Sequence, residues 1–108
     1  YVEAGADGIM IHSRQKSPDE VLEFLKRFRA RDTHTPIVVV PTSFNTITAH
    51  ELGEAGANII IYANHLLRAS FIAMKEVAEG ILRYDRSAEI EKQCMSVGEI
   101  LSLIPGTI

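Results

Sequence analysis

The chain has 108 residues, a formal net charge of −3, 46% hydrophobic residues and 23% charged ones, values ordinary for a globular unit. Mild acidity argues against nucleic-acid and anionic-membrane partners, which favour clustered Lys and Arg. The longest apolar runs, PIVVVP and NIIIYA, fall far below the roughly 18 residues that span a bilayer, and no basic-then-apolar signal opens the chain.

The sequence starts in mid-pattern. YVEAGA, from Tyr1, reads as the last turn of a helix whose beginning is absent, as expected of a fragment. Glu3-Ala4-Gly5-Ala6 then leads through Asp7 into an apolar run that stops on His12 and Ser13. The same text returns 51 residues later, where Glu54-Ala55-Gly56-Ala57 leads through Asn58 into a second apolar run. Each copy reads as a helix-to-strand junction, with Gly5 and Gly56 just past a helix end, where a left-handed backbone costs little only for glycine. The offset suits two βα units, so a further strand belongs between them; PIVVVPT, residues 36 to 42, is β-branched and opened by proline.

Helices fill the gaps. Ser17-Pro18-Asp19-Glu20 is a start signal, with a Ser cap, Pro in the first turn and Glu three residues after the cap. Val21, Leu22, Leu25 and Phe28 follow at helical spacing opposite Glu23, Lys26 and Arg27. Thr48 to Glu51 is a second capping box, for a helix running to about Glu54. A long helix spans His65 to Arg83, with Leu67, Phe71, Met74, Val77, Ala78 and Ile81 as its apolar stripe. YDRSAEIEKQC turns polar, and Ser96-Val97-Gly98-Glu99 caps a short helix that ends before Pro105. The single cysteine, Cys94, lies in the polar link; it excludes an internal disulfide framework and suits a reducing, cytoplasmic setting.

The fold class is therefore α/β. Three near-continuous apolar strands without alternation point to a parallel sheet covered on both faces. Right-handed crossovers place the ends of all three strands on one side. Ligands of parallel α/β sheets bind there. The stretches in that position are His12-Ser13, Pro41 to Asn45, and Ala63-Asn64-His65. A strand-terminal histidine caps or packs more often than it catalyses, and position alone leaves both roles open for His12. Thr42, Ser43, Asn45 and Asn64 offer neutral donors to carboxylate or phosphoryl oxygens, but Thr42 and Ser43 also suit a turn, and Asn64 a helix cap. His34 and His50 read as surface residues. The four histidines lack ligand-like spacing, glycine-rich phosphate loops are absent, and no paired carboxylates stand at the strand ends. The residues thus supply one edge of an anion pocket without a complete catalytic set.

EAGADGIMIHS, PIVVVPTSFN, NIIIYANHLLRAS and MSVGEILSL together resemble the C-terminal part of the phosphoenolpyruvate mutase family, within the superfamily that also holds isocitrate lyase and methylisocitrate lyase. The likeness runs from residue 1 to about residue 104. ADGIMIHS and ANHLLRAS, at their spacing, match the mutase branch; SFN at residues 43 to 45 has the character of the lyase branch. The resemblance implies that residues 1–83 are the C-terminal part of a (β/α)8 TIM-type barrel, incomplete as an isolated chain, followed by a polar link and short helix over 84–108. It implies an isomerase that interconverts phosphoenolpyruvate and phosphonopyruvate in phosphonate biosynthesis, with Mg²⁺ bound by acidic residues upstream. His12 matches the family's phosphoryl-holding histidine, and Pro41 and Thr42 match pocket-lining positions. It further implies a homo-oligomer that exchanges its C-terminal barrel helix, and an inactive isolated fragment. The alternatives are a phosphonopyruvate hydrolase, a C–C lyase of the same superfamily, and a free-standing α/β interaction module.

Overall fold

A computed structural model describes residues 1–106. Contacts divide the chain into two compact units, 1–63 and 64–108. The first unit holds a parallel three-stranded sheet in the order β1-β2-β3, from β1 (Ile9–Ile11), β2 (Ile37–Val39) and β3 (Ile59–Ile60). Ile9 pairs with Ile37 and Ile11 with Val39, while Val38 and Val39 pair with Ile59 and Ile60. Helices α1 (Asp19–Arg29) and α2 (Ala49–Glu54) provide the crossovers. The second unit contains α3 (His65–Tyr84), a 3-10 turn at Glu91–Gln93, and α4 (Val97–Ser102).

The repeated Glu-Ala-Gly-Ala is a repeated stop. Ahead of β1, Gly5 N–H donates to Val2 O and Ala6 N–H to Tyr1 O. Ahead of β3, Gly56 N–H donates to Gly53 O and Ala57 N–H to Leu52 O, the same pair of bonds that closes a Schellman turn. Gly5 and Gly56 have φ of 96° and 107°, as the sequence requires. The turn at Tyr1 is 3-10 in form, over Val2–Ala4.

Packing is one-sided. Val21 and Leu25 of α1 and Leu52 of α2 join Ile37 and Val39 of β2, with Phe44 and Ala57, in one core, against which Ile9, Ile11 and Ile60 pack. Side chains alternate along a strand, so Met10, Val38 and Ile59 turn to the opposite face. Met10 stays 62% exposed and Ile59 51%. Within the first unit the expected cover on both faces is found on one only: both helices lie on that face, and the first unit leaves the other, apolar face uncovered. The middle strand is also shorter than residues 36 to 42. It ends at Val39, because Pro41 has no N–H to give a ladder and Thr42 N–H folds back on Val40 O at 2.9 Å.

The capping boxes follow the sequence with one exception, α1, whose N-cap is Pro18 and not Ser17. Thr48–Glu51 and Ser96–Glu99 form complete capping boxes. At α1, Ser17 Oγ accepts from Asp19 N–H, and Glu20 is not its partner; that carboxylate reaches Ser13 instead. In the second unit, α3 buries no residue, and Leu67, Phe71 and Met74 of its predicted stripe are exposed. Ile90 is buried against α3: a Cβ on Gly80 would lie 2.3 Å from Ile90 Cγ2, so only glycine admits the returning link.

The entry side of the sheet is closed by Arg29, the last residue of α1. Its Nε and Nη2 donate to Gly56 O at 3.0 and 2.8 Å, and Nη2 also reaches Asn58 Oδ1 at 2.6 Å. Nη1 donates to Asp32 O and Thr35 O at 3.0 and 2.9 Å. Asn58 Oδ1 also accepts from Ile37 N–H, so a single side-chain oxygen joins α1, β2 and the start of β3. A lysine cannot match this fork geometry. Arg29→Lys is expected to lower stability by about 2 kcal/mol, since several carbonyls lose charge-assisted donors, read as a fall in the urea midpoint.

Asp32 organises the loop beneath. Its carboxylate accepts the Thr35 hydroxyl and the N–H groups of Thr35 and His34. These bonds, the Thr35 hydroxyl first, hold its pKa down at about 2, from an ordinary 3.8. A depressed carboxylate contributes stability that is full above its unfolded pKa and lost as pH falls through its folded one. Asp32→Asn should therefore be less stable than the wild type above pH about 4, and the gap should close as pH approaches 2. Urea midpoints of both proteins across that window check this.

Candidate active site

Parallel pairing puts the carboxyl ends of β1, β2 and β3 on one side of the first unit. Ile11 and Val39 are the last register pair between β1 and β2. His12 leaves β1 one residue beyond it, and Pro41 leaves β2 two residues beyond. The fold thus brings His12 and the Pro41-Thr42 turn to the ends of neighbouring strands. His12 is exposed, Thr42 is half-buried and Pro41 is buried.

Each is fixed from below. Pro41 sits at the centre of the tight Val40–Thr42 turn, where its ring-restricted φ suits the bend. Three residues on, Phe44 is fully buried in the core and anchors the loop. Its size within a polar stretch is the signal for that anchor in the sequence. On the other strand, Ser13 is 4% exposed; its Oγ accepts Gln15 N–H at 3.0 Å and donates to the Glu20 carboxylate. A cavity of about 250 Å³ is lined by Ile11, His12, Glu20, Val21 and Phe24.

Other candidates are placed differently. Asn64 stands at the N-cap of α3 but makes no side-chain capping bond, and its Oδ1 is buried without a hydrogen-bond partner. His34 and His50 are exposed, and Cys94 is exposed and unpaired. Among the described residues no group of three or more His, Cys, Asp or Glu side chains could hold a metal ion. Among the described residues the donors therefore do not fit Mg²⁺. Among them, too, no helix is long and apolar enough to cross a membrane.

Residues 1–82 match the family model described as phosphoenolpyruvate phosphomutase. The chain belongs to that family. It is 41% identical over 104 residues to a phosphonopyruvate hydrolase of Variovorax sp. (strain Pal2), covering 95% of this chain and 35% of the relative. A crystal structure of phosphoenolpyruvate phosphomutase from Streptomyces platensis subsp. rosaceus superposes with a TM-score of 0.85 at 43% identity, over 95% of this chain and 35% of the other. A phosphonopyruvate hydrolase in complex with oxalate and Mg²⁺ gives a TM-score of 0.81 at 41% identity, over 95% and 36%. The chain thus spans about a third of the length of the relatives it matches. Its α/β fold with parallel strands is that of both neighbours.

If Phe44 anchors the strand-end loop, Phe44→Ala costs about 3–5 kcal/mol, the range for emptying a buried aromatic site. Faster hydrogen exchange at the Thr42 amide, beyond the global loss of stability, is the accompanying sign that the turn has come loose.

Proposed function

We propose that the chain is the C-terminal portion of an enzyme that acts on the carbon–phosphorus bond of phosphonopyruvate, interconverting it with phosphoenolpyruvate. The observation that carries the reading is the family match over residues 1–82, together with His12 and Pro41-Thr42 emerging at the same end of a parallel sheet. On this reading, residues 1–83 form the last three strands and helices of a (β/α)8 barrel, and residues 84–108 a link and terminal helix. The open apolar face carrying Met10 and Ile59 supports it, because the inner wall of a barrel is packed only when the circle is complete.

The chemistry asks for positioning and charge. As the phosphoryl group leaves the enolate oxygen and bonds to carbon, negative charge spreads over its peripheral oxygens. His12 donates an imidazole N–H to one of those oxygens, and the Thr42 hydroxyl is suited to another. Pro41 shapes the wall beside them. Any Mg²⁺, such as the hydrolase neighbour holds, would take its ligands from groups other than the described residues. The exposed apolar residues of α3 support a homo-oligomer in which that helix packs on a neighbouring subunit.

A second reading, hydrolysis of phosphonopyruvate, is favoured by the 41% identity to the Variovorax enzyme. The two differ in product. Phosphorus-31 NMR of the polypeptide as the cell makes it, supplied with phosphonopyruvate, yields phosphoenolpyruvate for the mutase and inorganic phosphate for the hydrolase. In either case His12→Ala should lower kcat/KM by about 100-fold, the scale of losing one donor to a developing anion. The 108-residue chain alone should turn over neither substrate. Absence of both products from the wild-type polypeptide would remove the reading, and activity in the isolated chain would remove the fragment part of it.

A further inference from the structure

The pair His12-Ser13 divides into two roles. Ser13 is 4% exposed, and both its proton and one lone pair are committed within the protein, to Glu20 and to Gln15 N–H. It is therefore not placed to serve substrate. Glu20, in contrast, has been withdrawn from the work that its spacing suggests. At α2 and α4 the third residue after the cap turns back to bond the cap, in complete capping boxes. At α1 Ser17 bonds Asp19 instead, and the Glu20 carboxylate reaches across seven residues to Ser13. Glu20 stands in the first turn of α1, where the unpaired N–H groups of the helix start favour an acceptor side chain. The loop from His12 to Pro18 is thereby stapled at its beginning to the helix that follows it. Val21, next to Glu20, and Leu25, one turn on, are buried in the core. His12 and Glu20 line the same 250 Å³ cavity.

We propose that Glu20 is a positioning residue for His12, acting through the Ser13 hydroxyl. The proposal rests on the assignment of His12 to the phosphoryl group for its catalytic consequence, but not for its structural content. Ser13 is a buried anchor one bond from the His12 carbonyl; tying it to a core helix restricts the backbone that aims the imidazole. Without that tie the 12–18 loop, whose other side-chain bonds are local, is free to carry His12 away from the strand end.

The test uses the polypeptide as the cell makes it, with Glu20→Ala, Glu20→Gln, Ser13→Ala and the Ser13→Ala/Glu20→Ala pair. A glutamine carbonyl still accepts the Ser13 proton, so Glu20→Gln should stay within about twofold of wild-type kcat/KM on phosphonopyruvate. Glu20→Ala and Ser13→Ala should each lose about tenfold, the worth of one oriented hydrogen bond, and the pair no more than either alone. Wild-type activity in Glu20→Ala, or equal damage in Glu20→Gln and Glu20→Ala, overturns the proposal. A second arm needs no turnover. The Gln15 amide should exchange about tenfold faster in Glu20→Ala and recover in Glu20→Gln, as one hydrogen bond's worth of local protection. The His12 ring proton resonance should move in the first variant and not in the second. An unchanged Gln15 amide and His12 resonance in Glu20→Ala overturn the proposal even if the wild type has no activity, an outcome that by itself would remove only the assignment of the reaction.

Discussion

The guanidinium of Arg29 is the point on which the sheet is hung. It is held by Gly56 O, Asn58 Oδ1, Asp32 O and Thr35 O, and so joins the end of α1 to the entrances of β2 and β3. Three conditions make this possible. Gly56 must adopt a positive φ, it must lack a Cβ, which would stand 2.7 Å from Arg29 Cγ, and Asn58 must offer an oxygen to both Arg29 and Ile37 N–H. Asn58 N–H returns the bond to Ile37 O. Register between β2 and β3 is thus held at the entrance by the Asn58 side chain together with its own N–H. A one-residue slip would turn Ile37 and Val39 out of the core.

This arrangement separates stability from chemistry along the strands. At the entrance, the polar groups of Arg29, Asp32, Thr35 and Asn58 are used up in bonds to one another and to backbone. At the exit, the anchors are Phe44, Ser13 and the turn at Pro41, and they leave His12 exposed beside a half-buried Thr42. The rigid entrance fixes where each strand points, and the exit can then vary its side chains without loss of register. Such a division is what lets a parallel βα array carry ligand-binding residues on short loops.

Elements whose determinants are local were legible in the sequence. The two Glu-Ala-Gly-Ala stops, the Thr48 and Ser96 capping boxes, and the α1 stripe of Val21 and Leu25 follow from backbone sterics and periodicity within a few residues. What escaped depends on contacts distant in sequence. Glu20 has the spacing of a capping-box residue, but a buried hydroxyl from the preceding loop competes for its carboxylate. Asn64 has the chemistry of a cap, yet its φ of −139° and ψ of 5° leave its side chain without the bond a cap makes. The strand from residue 36 stops early because Pro41 bends it, although Val40 and Thr42 are good strand formers. Two-sided cover was inferred from unbroken apolar runs, and such runs also describe a strand whose second face awaits another part of a fold. Of the candidate site, the placement of His12, Pro41 and Thr42 was readable from topology. The supports beneath them, Ser13–Glu20 and Phe44, were not.

Under the proposed function, the open face of the sheet bears on the choice between the two reactions. Met10, Val38 and Ile59 form an apolar strip that ends where His12 and Pro41 begin. Water beside such a strip is poorly held, whereas a planar enolate packs against it well. If that strip becomes the floor of a closed site, it favours retention of the carbon fragment near the phosphoryl group, as transfer between oxygen and carbon requires. Hydrolysis needs one more feature, a held and activated water in line with phosphorus. In the roles proposed for them, nothing among His12, Pro41 and Thr42 demands such a water, and all three would serve a phosphoryl group whichever nucleophile it meets. Under the proposed function, the residues of this chain are those that the two reactions would have in common, and the choice between them would fall to whatever group admits or excludes water above the strip.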